Sequence, residues 1–189
     1  LTLEYGGFPQ ESMPTMQGSK ELSGEYLCLE NAALSPRLMN VMPGEDGYPA
    51  TIEITLPAAM TVIPFGASEA EVVAEHGDGT KTWRYETNRA GGILYAGDYV
   101  REEIQAGGLT IDFYYGRKHQ AVMEAAGAAE AVLAVMDYCA GHYGSLAFGD
   151  GERLKLIQSR VAGGGYAGDG ASLLDEADFT AHNLGDADK

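Results

Sequence analysis

The sequence predicts a mainly β chain with an α+β part at its end: an antiparallel β-sandwich, then one long helix and a small sheet. Three observations carry this. Up to residue 116 the chain is a series of short alternating apolar runs separated by Gly- and Pro-containing breaks. Between residues 119 and 143 the apolar period changes to that of a helix. Two further strand-like runs then flank the glycine-rich stretch "VAGGGYAGDG". Alternation of period two buries one face of a strand, and a period near 3.6 buries one stripe of a helix. Many short strands at regular spacing point to antiparallel sandwich packing.

The elements follow in order. Leu1, Leu3 and Tyr5 alternate before a turn at Gly6 and Gly7. "EYLCLEN" (25–31) alternates again. "ATIEITLP" (50–57) sets Ile52 and Ile54 on one face, and Pro57 ends it. "MTVIPFG" (60–66) follows after a short break. Residues 69–88 read as a hairpin whose arms flank Gly77, Asp78 and Gly79, because glycine tolerates the positive φ of tight turns. Residues 91–116 supply two or three more strands, with Gly107 and Gly108 as a turn.

The helix is predicted as one element over 119–143. Its apolar stripe runs through Val122, Ala125, Ala126, Ala129, Val132 and Leu133, then Met136, Cys139, Ala140 and Tyr143. Glu124, Glu130 and Asp137 lie off the stripe, and Gly141 and Gly144 suit its C-terminal end. "RLKLIQSRV" (153–161) is an alternating strand with Leu154, Leu156 and Gln158 on one side. "ASLLDE" (171–176) is a short strand, and the remaining tail is polar. The change of period between 116 and 119 predicts the domain boundary: a sandwich over 1–116 and a second unit over 117–189.

With 189 residues the chain is long enough to bury a core. Its formal charge of −16 argues against nucleic acid as a partner, since neutralising phosphates needs clustered Lys and Arg. The same charge opposes unaided docking on anionic lipid. No run is apolar and long enough to span a bilayer, and "LTLEYGGFPQ" lacks the basic and apolar regions of a signal peptide. The chain begins without Met inside a strand-like pattern, so it is expected to be a piece of a longer protein. Such a piece should expose surface once covered by the missing parts, giving self-association or a disordered tail after about Phe179.

Chemistry-bearing residues are sparse. His76, His119, His142 and His182 form no H-x-H or H-x-x-x-H spacing that would set two imidazoles on one metal, and they read as surface or capping groups. His142 is placed to favour the helix C-terminus. There is no G-x-S-x-G elbow. Cys28 and Cys139 read as free thiols packed as small apolar residues, and Cys139 with His142 one turn away reads as packing, not a nucleophile pair. Asp175, Glu176 and Asp178 match no calcium loop and read as a solvated acidic edge.

The glycine stretch remains. A phosphate loop needs a Lys and a following helix N-terminus. Here no Lys follows, Asp169 would repel phosphate, and a strand comes next. Two readings stay open. One is a flexible joint. The other is a backbone lying beside an extended peptide, where glycine allows close approach and a strand edge offers its N–H and C=O groups.

The order of segments resembles the zinc aminopeptidase family typified by aminopeptidase N. "LTLEYGGFP" resembles that family's strand ending Tyr-x-Gly-x-Pro. "YPATIEITLPAAMTVIPFG", followed by the hairpin with "TKTWRYE", resembles its next passage. "GDYVREEIQAGGLTIDFYYGRKH" resembles its last sandwich strands and the crossing into the first catalytic-domain helix. An unrelated sandwich with a helical appendage is the competing fold reading, since loose strand motifs recur by chance.

The resemblance implies that 117–189 is the start of a thermolysin-like catalytic subdomain. It also implies that the glycine stretch corresponds to the family's Gly-Ala/Gly-Met-Glu-Asn segment, whose backbone lines the substrate. Gly163 and Gly164 match, while the Met-Glu-Asn positions read Gly165, Tyr166 and Ala167. The glutamate that holds a substrate's free amino group is missing. The implied substrate-binding residues are therefore Gly163, Gly164, Gly165 and Tyr166, with no catalytic residue and no metal ligand on this chain. The family's H-E-x-x-H motif would come later in sequence; His182 is followed by Asn183 and has no second His. Zinc is thus expected only in a longer parent. The implied partners are a peptide or protein segment and the rest of the parent. The implied setting is an extracytoplasmic domain tethered to a membrane through parts outside this chain. The second functional reading is a degenerate, peptidase-like binding or scaffold domain of a membrane transport protein.

Overall fold

Strands buried on both faces organise the molecule. The computed structural model describes residues 21–22, 26–29, 49–64, 68–87, 94–106, 108–144, 153–159, 166–168 and 170–176. The predicted strand at Leu1, Leu3 and Tyr5 and the polar tail lie outside these residues.

Among the described residues twelve strands follow in chain order: β1 (Glu21–Leu22), β2 (Tyr26–Leu29), β3 (Ala50–Pro57), β4 (Thr61–Pro64), β5 (Glu71–Glu75), β6 (Thr80–Thr87), β7 (Leu94–Gly97), β8 (Tyr99–Ala106), β9 (Leu109–Gly116), β10 (Arg153–Ser159), β11 (Tyr166–Gly168) and β12 (Ala171–Asp175). They form three sheets, ordered β3-β6-β5, β1-β2-β7-β4 and β11-β12-β10-β9-β8. The first two sheets are antiparallel throughout. In the third, β9, β10 and β12 run parallel, and the outer strands β8 and β11 run antiparallel to their neighbours.

Alternation in the middle sheet explains the layering. Leu27, Val62, Leu94 and Ala96 face the three-stranded sheet, where Tyr85, Ile52, Ile54 and Trp83 meet them. Tyr26, Ile63 and Tyr95 face the other way, onto Tyr114, Ile157, Ala171 and Leu173 of the five-stranded sheet. A sheet covered on both sides needs apolar residues at odd and even positions. The opposite face of the five-stranded sheet presents Ile104, Ile111, Phe113, Tyr115 and Leu154 to the helices, which insert Met123 and Ala128. The mainly β, α+β architecture read from the sequence is the one observed.

Several local expectations hold, and several change. The hairpin of residues 69–88 is β5–β6; Gly79 adopts φ 83°, and Asp78 accepts hydrogen bonds from the Thr80 amide and hydroxyl. Residues 94–116 give three strands, with Gly108 at φ 85° in the last turn. β7 ends at Gly97 and β8 begins at Tyr99, so the chain changes sheets across Asp98. The five-stranded sheet therefore draws β8 and β9 from before residue 117, and β10, β11 and β12 from after it.

The single predicted helix is divided. A 3-10 turn (Arg117–His119) leads into α1 (Gln120–Ala125), and α2 (Ala128–Tyr143) follows a break at Gly127, which takes the left-handed φ of 61°. The break rephases the two pieces. Met123 and Ala128, neither on the predicted stripe, become the buried residues, while Val132 and Met136 pack inward as expected. Tyr143 and Ala125, assigned to the stripe, are exposed. Among the described residues no helix is long and apolar enough to cross a membrane.

β10 departs from simple alternation. It is central in its sheet and covered by helices on one side and a sheet on the other, so Lys155, Gln158 and Ser159 are buried along with Leu154 and Ile157. Cys139 carries a free thiol and is half-buried, not enclosed as expected.

Candidate functional site

β11 is the outermost strand of the five-stranded sheet. Its partner β12 satisfies one side, with Tyr166 opposite Leu173 and Gly168 opposite Ala171. In an antiparallel pair, alternate backbone groups of an edge strand point away from the sheet and stay available to another chain. Of the residues expected to bind substrate, Tyr166 begins this edge strand, and Gly163, Gly164 and Gly165 lie outside the described residues. Tyr166–Gly168, within the glycine-rich stretch, is thus a strand.

A second feature lies at the carboxyl ends of the sheet's parallel strands. β9, β10 and β12 are parallel, so their carboxyl ends gather Gly116, Gln158 and Glu176. A cleft of about 280 Å³ opens there, completed by Tyr26 of the neighbouring sheet and by Asp98 and Tyr99 at the crossing between sheets. In sheets with parallel strands, the carboxyl ends are where connecting loops diverge and leave room for ligands.

Its geometry is built from few contacts. Tyr26 and Tyr99 meet edge-to-face, ring centroids 6.4 Å apart. The Tyr99 hydroxyl donates to the Gln158 carbonyl at 2.7 Å. The Gln158 side-chain Oε1 accepts from the Gly116 amide, also at 2.7 Å. Arg117 is tied to Asp98 twice: its Nε reaches the carboxylate at 2.8 Å, and its amide the Asp98 carbonyl at 2.8 Å. Lys118 and His119 both approach Glu176, His119 through Nε2 at 3.0 Å. Glu176 is half-buried in this clasp, a correction to the solvated acidic edge expected of it. Nothing in the sequence spacing links residue 119 to residue 176; the parallel pairing of β12 with β10 and β10 with β9 does.

A third cluster lies nearer the amino end of β10. Asp112 is fully buried and accepts from Arg101 Nε at 2.9 Å and from Arg153 Nη1 at 2.6 Å. Lys155, 2% exposed, donates through Nζ to the Pro64 carbonyl at 2.9 Å and to the Ser68 carbonyl. Burial pulls its ammonium down to about 8, against the opposing pull of Glu69 and Asp112. These bonds tie the five-stranded sheet to the end of β4, which is a structural task.

The three described histidines have separate partners. His76 bonds the Thr82 hydroxyl, His119 meets Glu176, and His142 Nδ1 meets the Tyr138 carbonyl at 2.9 Å, near the helix end as its position suggested. Among the described residues no group of three His, Cys, Asp or Glu side chains is placed to hold a metal ion. The donor set that a catalytic zinc requires is not formed by these residues.

No protein-family model matches the sequence, and no curated protein matches it. Among solved structures, the crystal structure of an aminopeptidase N family protein from Idiomarina loihiensis matches over 86% of this chain, at 13% identity and a TM-score of 0.55. This chain spans 27% of that protein's length. The likeness is one of fold.

Proposed function

We propose that this chain is a portion of a zinc-aminopeptidase-like extracytoplasmic domain, the sandwich (1–116) together with the substrate-side strand of a partial thermolysin-like subdomain (117–189). On this reading the chain performs no catalysis with its own residues. Its role is to present β11 to an extended peptide, while zinc and the activated water belong to other parts of a metallopeptidase parent. The carrying observation is β11 itself: a short antiparallel edge strand, following a glycine run in the sequence, on a mixed sheet whose central strands are parallel. The fold likeness to part of an aminopeptidase N family protein supports the assignment.

The test uses the longer parent protein. Removal of N-terminal residues from peptides, abolished by a chelator and restored by zinc, is expected. Because Gly165, Tyr166 and Ala167 stand where the family's motif has Met-Glu-Asn, the amine-binding glutamate is missing, and acetylating the peptide N-terminus should change the rate little. A parent that binds peptides but never cleaves them, with or without zinc, would sink the enzymatic reading.

That same loss of the amine-binding glutamate favours the second reading, a degenerate binding or scaffold domain of a membrane transport protein. The two separate cleanly, since the second predicts peptide binding that a chelator leaves unchanged.

A further inference from the structure

The cleft at the carboxyl ends of β9, β10 and β12 has a chemistry of its own, set by Gln158. This side chain is 2% exposed, yet it lines the cleft. Its Oε1 is committed to the Gly116 amide. That bond also fixes which way the amide faces, because the reverse orientation would set an NH2 group against a backbone N–H. Nε2 must then take the other side. It has no hydrogen-bond partner among the described residues, and it is not among the fully enclosed polar atoms left without one. A buried primary amide thus turns a pair of unused donors toward the open volume, a costly arrangement unless water or a ligand accepts from them.

The surroundings narrow the ligand. The unused groups at the floor are donors, so they call for a ligand oxygen and reject an ammonium. Arg117 and Lys118 stand at the rim with side chains more than half exposed, free to swing toward a guest. Asp98 holds Arg117 in an exposed pair, which is weak and exchangeable, while Lys118 is the exposed member of its pair with the half-buried Glu176. The wall is aromatic, from Tyr26 and Tyr99. The volume of about 280 Å³ accommodates roughly ten non-hydrogen atoms at the space a water occupies in the liquid.

We propose that this cleft binds a small organic carboxylate with a flat or apolar body, its oxygens accepting from Gln158 Nε2 and from Lys118 or Arg117. The site is independent of β11 and does not require the peptidase-like reading. Such a carboxylate comes from one of two sources, a free small acid or the C-terminus of a peptide.

Benzoate and benzamide form a matched pair of about this size, differing in charge. Titration of the isotope-labelled chain, followed by NMR, should shift the Gln158 side-chain NH2 signals and the Gly116 and Arg117 amides with benzoate. Benzamide should bind at least roughly tenfold more weakly, the scale of one charge-assisted hydrogen bond. Gln158→Glu keeps an acceptor for the Gly116 amide but replaces the donors with a carboxylate oxygen, and should abolish the response. If that variant does not fold, Lys118→Glu, at an exposed position, should weaken benzoate by roughly tenfold on the same grounds. A tripeptide ending in Phe, compared with its C-terminal amide, identifies the source. A free-acid preference like that of benzoate points to peptide C-termini, and no response from either peptide points to free acids. The proposal is overturned if benzoate moves no cleft signal at millimolar concentration, if benzamide binds equally well, or if the folded variants bind benzoate unchanged.

Discussion

Lys155 shows how a residue's meaning depends on what covers its strand. In the sequence it occupies the polar phase of an alternating run, and an exposed ammonium follows from that. In the fold it is enclosed, donating to the Pro64 and Ser68 carbonyls. A neutral amine retains two N–H groups and can keep both bonds, so the folded state tolerates loss of the proton. The folded pKa is about 8 and the unfolded value 10.5, so between them the unfolded chain binds more protons. Stability from this residue is therefore present above pH 10.5 and lost as pH falls through 8. Tyr85 and Tyr114 act in the opposite sense above pH 10, since burial raises both to about 12. Urea unfolding of the native chain and of Lys155→Met, compared at pH 7 and pH 10, cancels the tyrosine contribution. The difference should move by roughly 2–3 kcal/mol in favour of the native chain at the higher pH. A pH-independent difference would mean that Lys155 reaches solvent. Gln158 and Glu176 were equally hidden in the sequence, because their partners lie at residues 116 and 119, and parallel pairing leaves no short-range spacing to read.

At the scale of elements, hydrophobic period located β3 through β10 and α2 well, because each has at least one face against apolar neighbours. The failures share a cause. Gly127 falls inside the span predicted as one helix, yet it adopts φ 61° and divides that helix, which moves Met123 into the core and Tyr143 out of it. The period survives such a break but its phase does not. β11 was missed because three residues cannot show a period. Two glycine substitutions test the difference. Gly127→Ala forces a left-handed φ on an L residue and brings Cβ to 3.4 Å from Glu130 Oε2, so it should destabilise by about 1–2 kcal/mol. Gly141→Ala lies inside α2 with open space around its Cβ, and should stabilise by about 0.5–1 kcal/mol. Denaturant midpoints read both. Equal effects of the same sign would contradict the assignment of Gly127 as the break.

For the whole molecule, the layers place three apolar interfaces between sheets and helices, but α2 covers its sheet with only one side. Val135 and Tyr138 are 60% and 61% exposed, with Leu133 and Tyr143 also reaching solvent. The sequence announced ample apolar content without saying which part lacked a cover, since the rephased helix decides that. Scattered exposed apolar residues are ordinary on a protein surface; several on one helix are a candidate contact surface. The formal charge of −16 works against association, because two copies repel. Salt screens that repulsion without weakening apolar contact. Sedimentation of the isolated chain should therefore show association that strengthens as salt is added, the reverse of an assembly held by ion pairs. Replacing Val135 and Tyr138 together by Ser should reduce association while shifting the unfolding midpoint little, as neither side chain is buried within the chain. A native chain that stays monomeric at every salt concentration, or a double variant that associates equally, would remove α2 as the contact surface.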